Sequence, residues 1–575
     1  MANPHPFFNG HEKVRAGCRR GTSIILSAMT ASPLCPPNSS PVASDAGSPR
    51  RDRWIYGVIA VAVGLWVASG VDATGQFPDW REGPGLTVDE GFNVDVGVRL
   101  ADAVLNGDLA EYARRTGDLP DHPPLGRLWL GLVHEVGLAV ATPRPIASTY
   151  FIPVARLGSA VAFAGTLFLT AVIGRRLGGF WCGLWAMLLL FGMPRVLGHA
   201  HIASLETVMA FAWMTVLTYV GLRWDSTAAP SSRVAAIGGV LWGVALLVKV
   251  QGVLLPGPLV VWAAWRWRSR AIRPLAVAAA AGLLVFFVGW PWLWESPFAH
   301  AGRYVGRAAD RPVTLVWYLG QSWADRDVPW HYPWVVLVAT TPLLPLALAA
   351  RGAFLKGSDV GSRPLAAWLG LTILAPLALF SWPGVAVYDG ERLFGVILPA
   401  VAVFAAAGAC AVADFFRRRS LAAGVVTGAL ALHAAGGTYL AGPHLLDHYS
   451  VAIGGPSGAW RMGLARTYWG DAQTRSVLVE VARRVPHGAT VDAVPVLHPF
   501  QLPVLWSQTP ALIAAEIILR AYDPRANGPS QYLLVLFRDE YLEPPFRRDP
   551  PPGRPMYEVR HRGVLLAGLY DMKGE

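Results

Sequence analysis

Charge is what this sequence has least of. Of its 575 residues only 15% are Asp, Glu, Lys or Arg, while 53% are hydrophobic; soluble domains run near a quarter charged. That excludes an ordinary soluble globular enzyme. Cysteine is scarce too. Cys18, Cys35, Cys182 and Cys410 are the only four, two in an N-terminal tail and two inside apolar runs, so no disulfide framework or metal-binding spacing is visible. No repeat of solenoid period is evident. The net charge of +11 does not imply nucleic acid, because the basic residues gather in short loops between apolar runs.

What the sequence does have is a series of apolar runs of about twenty residues, each able to cross a bilayer core of roughly 30 Å. Residues 1–53, rich in Ser, Pro, Gly and Arg, read as a disordered cytoplasmic tail. Arg50, Arg51 and Arg53 then place the N-terminus inside. Spans are expected near 54–71, 153–174, 180–194, 204–222, 234–250 and 252–265, with five more ending near 292, 350, 382, 416 and 440. Every second loop is basic and the long polar loops fall on the opposite side, which satisfies the positive-inside rule. The 24 tryptophans, many at the ends of runs, read as interfacial anchors.

The expected fold is therefore an all-α polytopic membrane protein of about eleven transmembrane helices, in a bacterial inner (plasma) membrane. The transmembrane domain covers 54–441, with long outer loops at 72–152 and 293–332. In the first loop Phe92, Val96, Leu100 and Val104 share one helical face and Asp95, Arg99, Asp102 and Asn106 the other, as in an interfacial helix. A second apolar segment, 125–140, is also expected at the interface. Residues 442–575 are more polar: 477–485 reads as a helix, and 490–497, 531–537 and 556–570 as strands, the last turning at Arg562-Gly563. This is a small extracytoplasmic α/β domain.

Polar clusters without a topological reason all fall on the outer side: Asp89-Glu90, Asp121-His122, Arg195 with His199, His201 and Glu206, Lys249, Arg303 with Arg307, and Tyr388-Asp389-Gly390-Glu391-Arg392. Ionised groups beside hydrocarbon are expensive and tend to be kept for function. A carboxylate near cations at a lipid surface suits sugar transfer from a lipid phosphate. Arg and Lys would hold the phosphate, and a carboxylate would take the acceptor's proton. An inverting reaction needs no separate nucleophile.

The chain resembles the lipid-phosphate-sugar-dependent glycosyltransferases of GT-C architecture, the superfamily of protein O-mannosyltransferases and the lipid A aminoarabinose transferase. The likeness rests on Asp89-Glu90 after span 1, His122-Pro123-Pro124-Leu125, Arg156-Leu157 opening span 2, Glu206 opening span 4, Lys249 closing span 5, and Tyr388 to Arg392 leading to Pro399. It covers roughly 54–415, through the order of the motifs rather than any one of them. It implies a polyprenyl-phosphate sugar donor, outer-face catalysis and Asp89 as the catalytic acid. Glu206 departs from the pattern, since many relatives have Asp there. The Trp-Trp-Asp motif of oligosaccharide transferases is missing, and Tyr468-Trp469-Gly470-Asp471 reads as a superficial echo of it.

Each assignment has a plainer alternative. Asp89, the expected general base, could cap the helix that follows, and Glu90, its catalytic companion, could sit there to complement the helix dipole. Arg392, Lys249, Arg303 and Arg307 are the expected phosphate ligands, although a lysine at a span end also snorkels. His122, Glu206, Tyr388 and Asp389 are expected to line the substrate site, although His122 could simply fix a pre-proline turn. His199 and His201 could hold a divalent cation with a carboxylate, a weak signal without a third ligand; no other cofactor is implied. The expected partners are the polyprenyl-phosphate sugar, membrane lipids and a protein, glycan or lipid acceptor, with no nucleic acid. The rivals are a transporter or flippase of a lipid-linked or anionic substrate, and an accessory scaffold.

Overall fold

The protein was analysed as a computed structural model, which describes residues 48–309, 312–355, 362–416, 419–467, 469–523, 525 and 530–573. The tail expected at 1–53 lies outside the described residues up to 47, and its last five residues are helical. Helix Pro49–Ala68 begins there because Ser48 caps it, accepting from the Arg51 amide at 3.3 Å, with Pro49 at the first position and Asp52 in the first turn.

Each of the eleven apolar segments is helical, and the breaks between them have local causes. The stretch Ile152–Phe191 is interrupted at Gly178-Gly179, where Gly179 has φ +83°, a backbone open to glycine. Helix Ser232–Val248 stops at Lys249, which is extended (φ −162°, ψ 154°). Helices Tyr332–Thr340 and Leu343–Ala353 meet at 118° around Pro342. Among the described residues, six stretches are long and apolar enough to cross a membrane, or seven if that bent pair is one span. This is a multi-pass membrane protein.

Several of the basic loops meet at one end of the bundle. Arg175 bonds Asp52 at 2.7 Å, while Asp225 collects Arg176 at 2.8 Å, Arg266 at 3.4 Å and Ser362 at 2.9 Å. Many tryptophans are not anchors at all. Trp185, Trp213, Trp224, Trp262, Trp290 and Trp368 are fully buried, because bulky aromatics fill the gaps between helices rich in Gly and Ala.

Helices Val88–Leu105 and Pro124–Leu138 pack on each other. A Cβ on Gly131 would come within 1.9 Å of the Gly97 carbonyl, so the two backbones meet where both residues are glycine. Val96 and Leu100 of the expected face are buried, as are Glu90, Val94, Gly97 and Ala101, while Phe92 is part-buried and Val104 is exposed.

The remaining chain is a mixed sheet. β1 (Leu315–Tyr318) and β2 (Gln321–Ala324) form a separate antiparallel hairpin. β3 (Thr490–Val494), β4 (Ile518–Ala521), β5 (Tyr532–Leu536), β6 (Arg554–His561) and β7 (Val564–Asp571) assemble in the order β4-β3-β5-β7-β6. β3 pairs in parallel with β4 and β5, and β5, β7 and β6 are antiparallel. The β6–β7 turn falls at Arg562-Gly563, both at positive φ (48° and 83°), as tight hairpins require. Helix Arg475–Arg484 packs on this sheet through Val477, Leu478 and Val481.

Candidate active site

The expected acids lie in the first turn of helix Val88–Leu105, and their environments differ completely. Glu90 is 1% exposed and its oxygens are taken up by protein: Arg156 donates to both at 2.7 Å, and Ala203 N–H and Thr87 N–H donate at 2.7 and 2.9 Å. Arg156 also donates to the carbonyls of Val71, Pro84 and Gly85. The pair thereby ties the start of helix Ile152–Phe191 to the loop behind the first helix. The Asp89 side chain remains 32% exposed and meets one partner, the Arg392 guanidinium.

Arg392 is the hub. Its Nε donates to Glu206 Oε1 at 2.6 Å, one terminal nitrogen to Asp389 Oδ2 at 2.9 Å, and the other to Asp89. Lys249 Nζ meets the same Glu206 oxygen. Ser204, at the N-cap of helix Leu205–Arg223, donates to the other Glu206 oxygen at 3.0 Å. Burial works against the charge on Arg392, but the carboxylates of Asp89 and Glu206 outweigh it and hold its pKa well above the usual value. Asp389 adopts φ 51° and Gly390 φ 60°, a left-handed turn that presents the Asp389 carboxylate to Arg392. Tyr388 lies 5.9 Å from the guanidinium.

Five of the expected residues thus converge from distant parts of the chain: Asp89, Glu206, Lys249, Asp389 and Arg392, with Tyr388 at their edge. His122 stands close enough that both Lys249 and Arg392 depress its pKa, after burial as the largest cause, to about 4. Its Nδ1 is buried without a hydrogen-bond partner among the described residues. Arg303 does not join the cluster. It is exposed, with its guanidinium 5.7 Å from the Trp292 ring, and the Arg307 side chain lies outside the described residues. His199 and His201 face different surroundings. His199 borders the Glu206 cavity, whereas His201 bonds the Leu197 carbonyl at 2.8 Å and meets the edge of Trp66. A two-residue spacing on the short helix Pro194–Ala200 turns the rings apart, and no group of three His, Cys, Asp or Glu suited to a metal occurs among the described residues.

Sequence reading missed what the C-terminal domain supplies. Trp469, 2% exposed, stacks over the Arg392 guanidinium at 4.0 Å. Arg538 donates to Asp389 Oδ1 at 3.1 Å. The Trp469-Gly470-Asp471 stretch was the available signal. Beneath Arg392 and Glu206 lies a cavity walled by Phe163, Val196, Met209, Leu398 and Pro399. The arrangement is a largely apolar space with the Arg392 guanidinium and the Glu206 carboxylate at its polar end, and Arg392 is met in turn by the part-exposed Asp89 and by Trp469.

A multi-pass helical protein with a carboxylate–guanidinium hub at one end is the class that the fold and the site define. No family model matches the chain, and no curated protein sequence matches it. Solved structures similar to it are glycosyltransferases of GT-C type. The apo state of ArnT from Cupriavidus metallidurans is 16% identical, with 90% of this chain and 98% of that one covered and a TM-score of 0.48. Archaeal oligosaccharyltransferase AglB from Archaeoglobus fulgidus, in complex with an inhibitory peptide and a dolichol-phosphate, is 11% identical over 84% of this chain and 69% of that one, with a TM-score of 0.45. The S. cerevisiae protein O-mannosyltransferase Pmt1-Pmt2 complex is 16% identical over 47% and 38%, with a TM-score of 0.31. These are distant likenesses of overall fold.

Proposed function

We propose that this protein is a membrane glycosyltransferase that moves a sugar from a polyprenyl-phosphate donor to an acceptor on the outer face, with inversion. The observation that carries the reading is the Asp89–Arg392 pair, a part-exposed carboxylate on a guanidinium that itself lines a largely apolar cavity. Counting both halves of the two long broken stretches, the bent pair Tyr332–Thr340 and Leu343–Ala353 as one span, the charged first helix and the shorter helix Ser232–Val248, the bundle crosses the membrane eleven times. The basic end is then cytoplasmic, and residues 442–575 form an outer domain over the site.

The donor's first isoprene units enter the cavity below Arg392. Its phosphate takes the guanidinium edge that meets Asp89, since phosphate matches that fork well. Lys249 adds charge and Glu206 orients both cations. Asp89 is released from Arg392 as the phosphate binds. It then accepts the proton of the acceptor hydroxyl or amine as that atom attacks the anomeric carbon. The bond from the anomeric carbon to the phosphate oxygen breaks, and the electron pair leaves on the polyprenyl phosphate, where Arg392 stabilises it. Glu90 takes no part in this exchange; it holds the helix that carries Asp89. Neutral His122 sits at the edge as a hydrogen-bonding group for substrate.

The test is sugar transfer from a polyprenyl-phosphate donor in proteoliposomes by wild type and Asp89→Asn. Loss of general-base catalysis is expected to slow transfer by about 10²–10⁴-fold. Unchanged transfer would remove Asp89 from the mechanism. Movement of the donor across liposomes without a covalent product would favour a flippase instead.

A further inference from the structure

One large cavity lies apart from the chemistry above. It measures about 590 Å³, within the roughly 300–1,000 Å³ of small-molecule sites. Its walls come from the last turn of helix Pro49–Ala68, the loop from Arg81 to Pro84, Phe191, His201 and the last turns of helix Arg419–Ala441. Helix Pro49–Ala68 starts at the basic end of the bundle, where Asp52 meets Arg175, so its last turn and the cavity stand at the opposite end. Leu65 on the first helix and Leu432, Tyr439 and Leu440 on the last are exposed. Those faces meet hydrocarbon, and the cavity opens where headgroups begin.

Arg81 selects the occupant. Its Nε donates to Ser69 Oγ at 3.1 Å, and one terminal nitrogen donates to the Trp66 carbonyl at 2.6 Å and to Ser69 Oγ at 3.0 Å. The Trp66 ring lies 4.7 Å from the guanidinium carbon. All of these partners are neutral. Burial lowers the Arg81 pKa with no carboxylate opposing it, and the adjacent acid is committed elsewhere: the Glu82 oxygens accept from Ser476 N–H at 2.9 Å and Ser476 Oγ at 2.7 Å. A guanidinium held by neutral groups and open on one edge is preformed for an oxyanion. His201 supplies the complement. Its Nδ1 donates to the Leu197 carbonyl at 2.8 Å, which leaves Nε2 as an acceptor. A Cβ on Gly70 would stand 3.1 Å from an Arg81 terminal nitrogen and 3.5 Å from His201 Nε2, so donor and acceptor border one spot.

We infer that this cavity binds one glycerophospholipid from the leaflet at that end, with its phosphate on Arg81, a headgroup hydroxyl donating to His201 Nε2, and its acyl chains along Leu65, Leu432 and Leu440. This lipid is neither sugar donor nor acceptor, and the inference stands apart from the role of Arg392. Both walls of the cavity lead to the closed pair behind Asp89. The Pro84 and Gly85 carbonyls accept from Arg156, and Ala203 N–H, two residues past His201, donates to Glu90. A lipid seated between Arg81 and His201 braces the two segments that hold the Arg156–Glu90 pair.

The experiment titrates purified full-length protein in detergent and counts bound lipid by native mass spectrometry. The probes are phosphatidylglycerol, the matching diacylglycerol without phosphate, and glycerol phosphate without acyl chains. Wild type should bind phosphatidylglycerol about tenfold or more tighter than diacylglycerol, as one charge-assisted contact implies, and should not bind glycerol phosphate measurably. Arg81→Ala should erase that preference. Ala435→Trp, which fills the cavity without altering charge, should erase it too and decides the matter if the Arg81 variant fails to fold. Equal binding of the two lipids by wild type, or variants that keep the preference, overturn the site. Glycerol phosphate binding as tightly as the lipid would mark a soluble phosphate ligand and overturn the lipid assignment. Arg392→Ala should keep the preference; its loss there would place the phospholipid in the reaction centre and overturn this site, whatever undecaprenyl phosphate does.

Discussion

Two arginine–carboxylate pairs built from neighbouring acids, Arg156–Glu90 and Arg392–Asp89, differ in how far protein closes them off. Arg156–Glu90 is closed: both side chains are at most 1% exposed, and every strong direction of the guanidinium meets an oxygen of the protein. Arg392–Asp89 is open, with its carboxylate 32% exposed. One residue of helix rotation, about 100°, separates a carboxylate turned into the bundle from one left part-exposed. A saturated buried pair has nothing left to exchange. A half-exposed pair can trade its partner for a phosphate.

The comparison breaks most directly by neutralising each acid in turn. Asp89→Asn should carry the largest effect on turnover, the 10²–10⁴-fold loss named above, which is about 3–5 kcal/mol of barrier. Its thermal midpoint in detergent should fall less than that of Glu90→Gln, because Asp89 is part-exposed and Arg392 keeps the carboxylates of Glu206 and Asp389. Glu90→Gln should do the reverse. It leaves Arg156 buried and uncompensated, at a cost of about 3–5 kcal/mol, seen as a lower midpoint and poor yield. If Glu90→Gln folds as well as wild type but loses transfer, Glu90 belongs to the chemistry after all.

A third carboxylate near these pairs sharpens the contrast through pH. Asp471 is fully buried, and burial, only partly offset by Arg195 and Arg156, pushes its pKa from 3.8 up to about 6. The folded state therefore holds a proton that the unfolded chain has lost between those two values. Stability should fall as pH rises from about 4 to about 6, by at most roughly 3 kcal/mol from this group, and stay level above. Asp471→Asn should flatten that slope and raise the midpoint at pH 7. An unchanged pH profile would show that Asp471 is not buried as a charge.

Much of the bundle could be read from the chain because hydrophobic periodicity and loop charge are local. The kink at Gly178-Gly179 and the turn at Arg562-Gly563 carry their own glycines. Thr87-Val88-Asp89-Glu90 even carries the Thr-x-x-Glu capping pattern, a sign that Glu90 was the structural member of the pair. Pairings between distant segments leave no such mark. Nothing local says that Arg156 meets Glu90, that Gly97 meets Gly131, or that Arg392 lies under Trp469. Interfacial tryptophan is only a tendency, so fully buried ones such as Trp213 and Trp368 escape it.

Trp469 is the smallest test and the one that links the two domains. It touches Arg392 at 4.0 Å, against 5.9 Å for Tyr388, so it is the aromatic face on which the guanidinium plane rests. A desolvated contact of this kind is worth about 2 kcal/mol. Trp469→Leu keeps an apolar side chain in place but removes that face, leaving Arg392 to pivot on its carboxylates. The expected result is weaker binding of undecaprenyl phosphate by about tenfold, with Trp469→Phe recovering part of it and turnover at saturating donor changing less than KM. A leucine variant with wild-type KM and reduced turnover would place Trp469 beside the reacting sugar rather than behind the phosphate ligand. The half-open pair at Asp89 would then be positioned by the membrane helices alone.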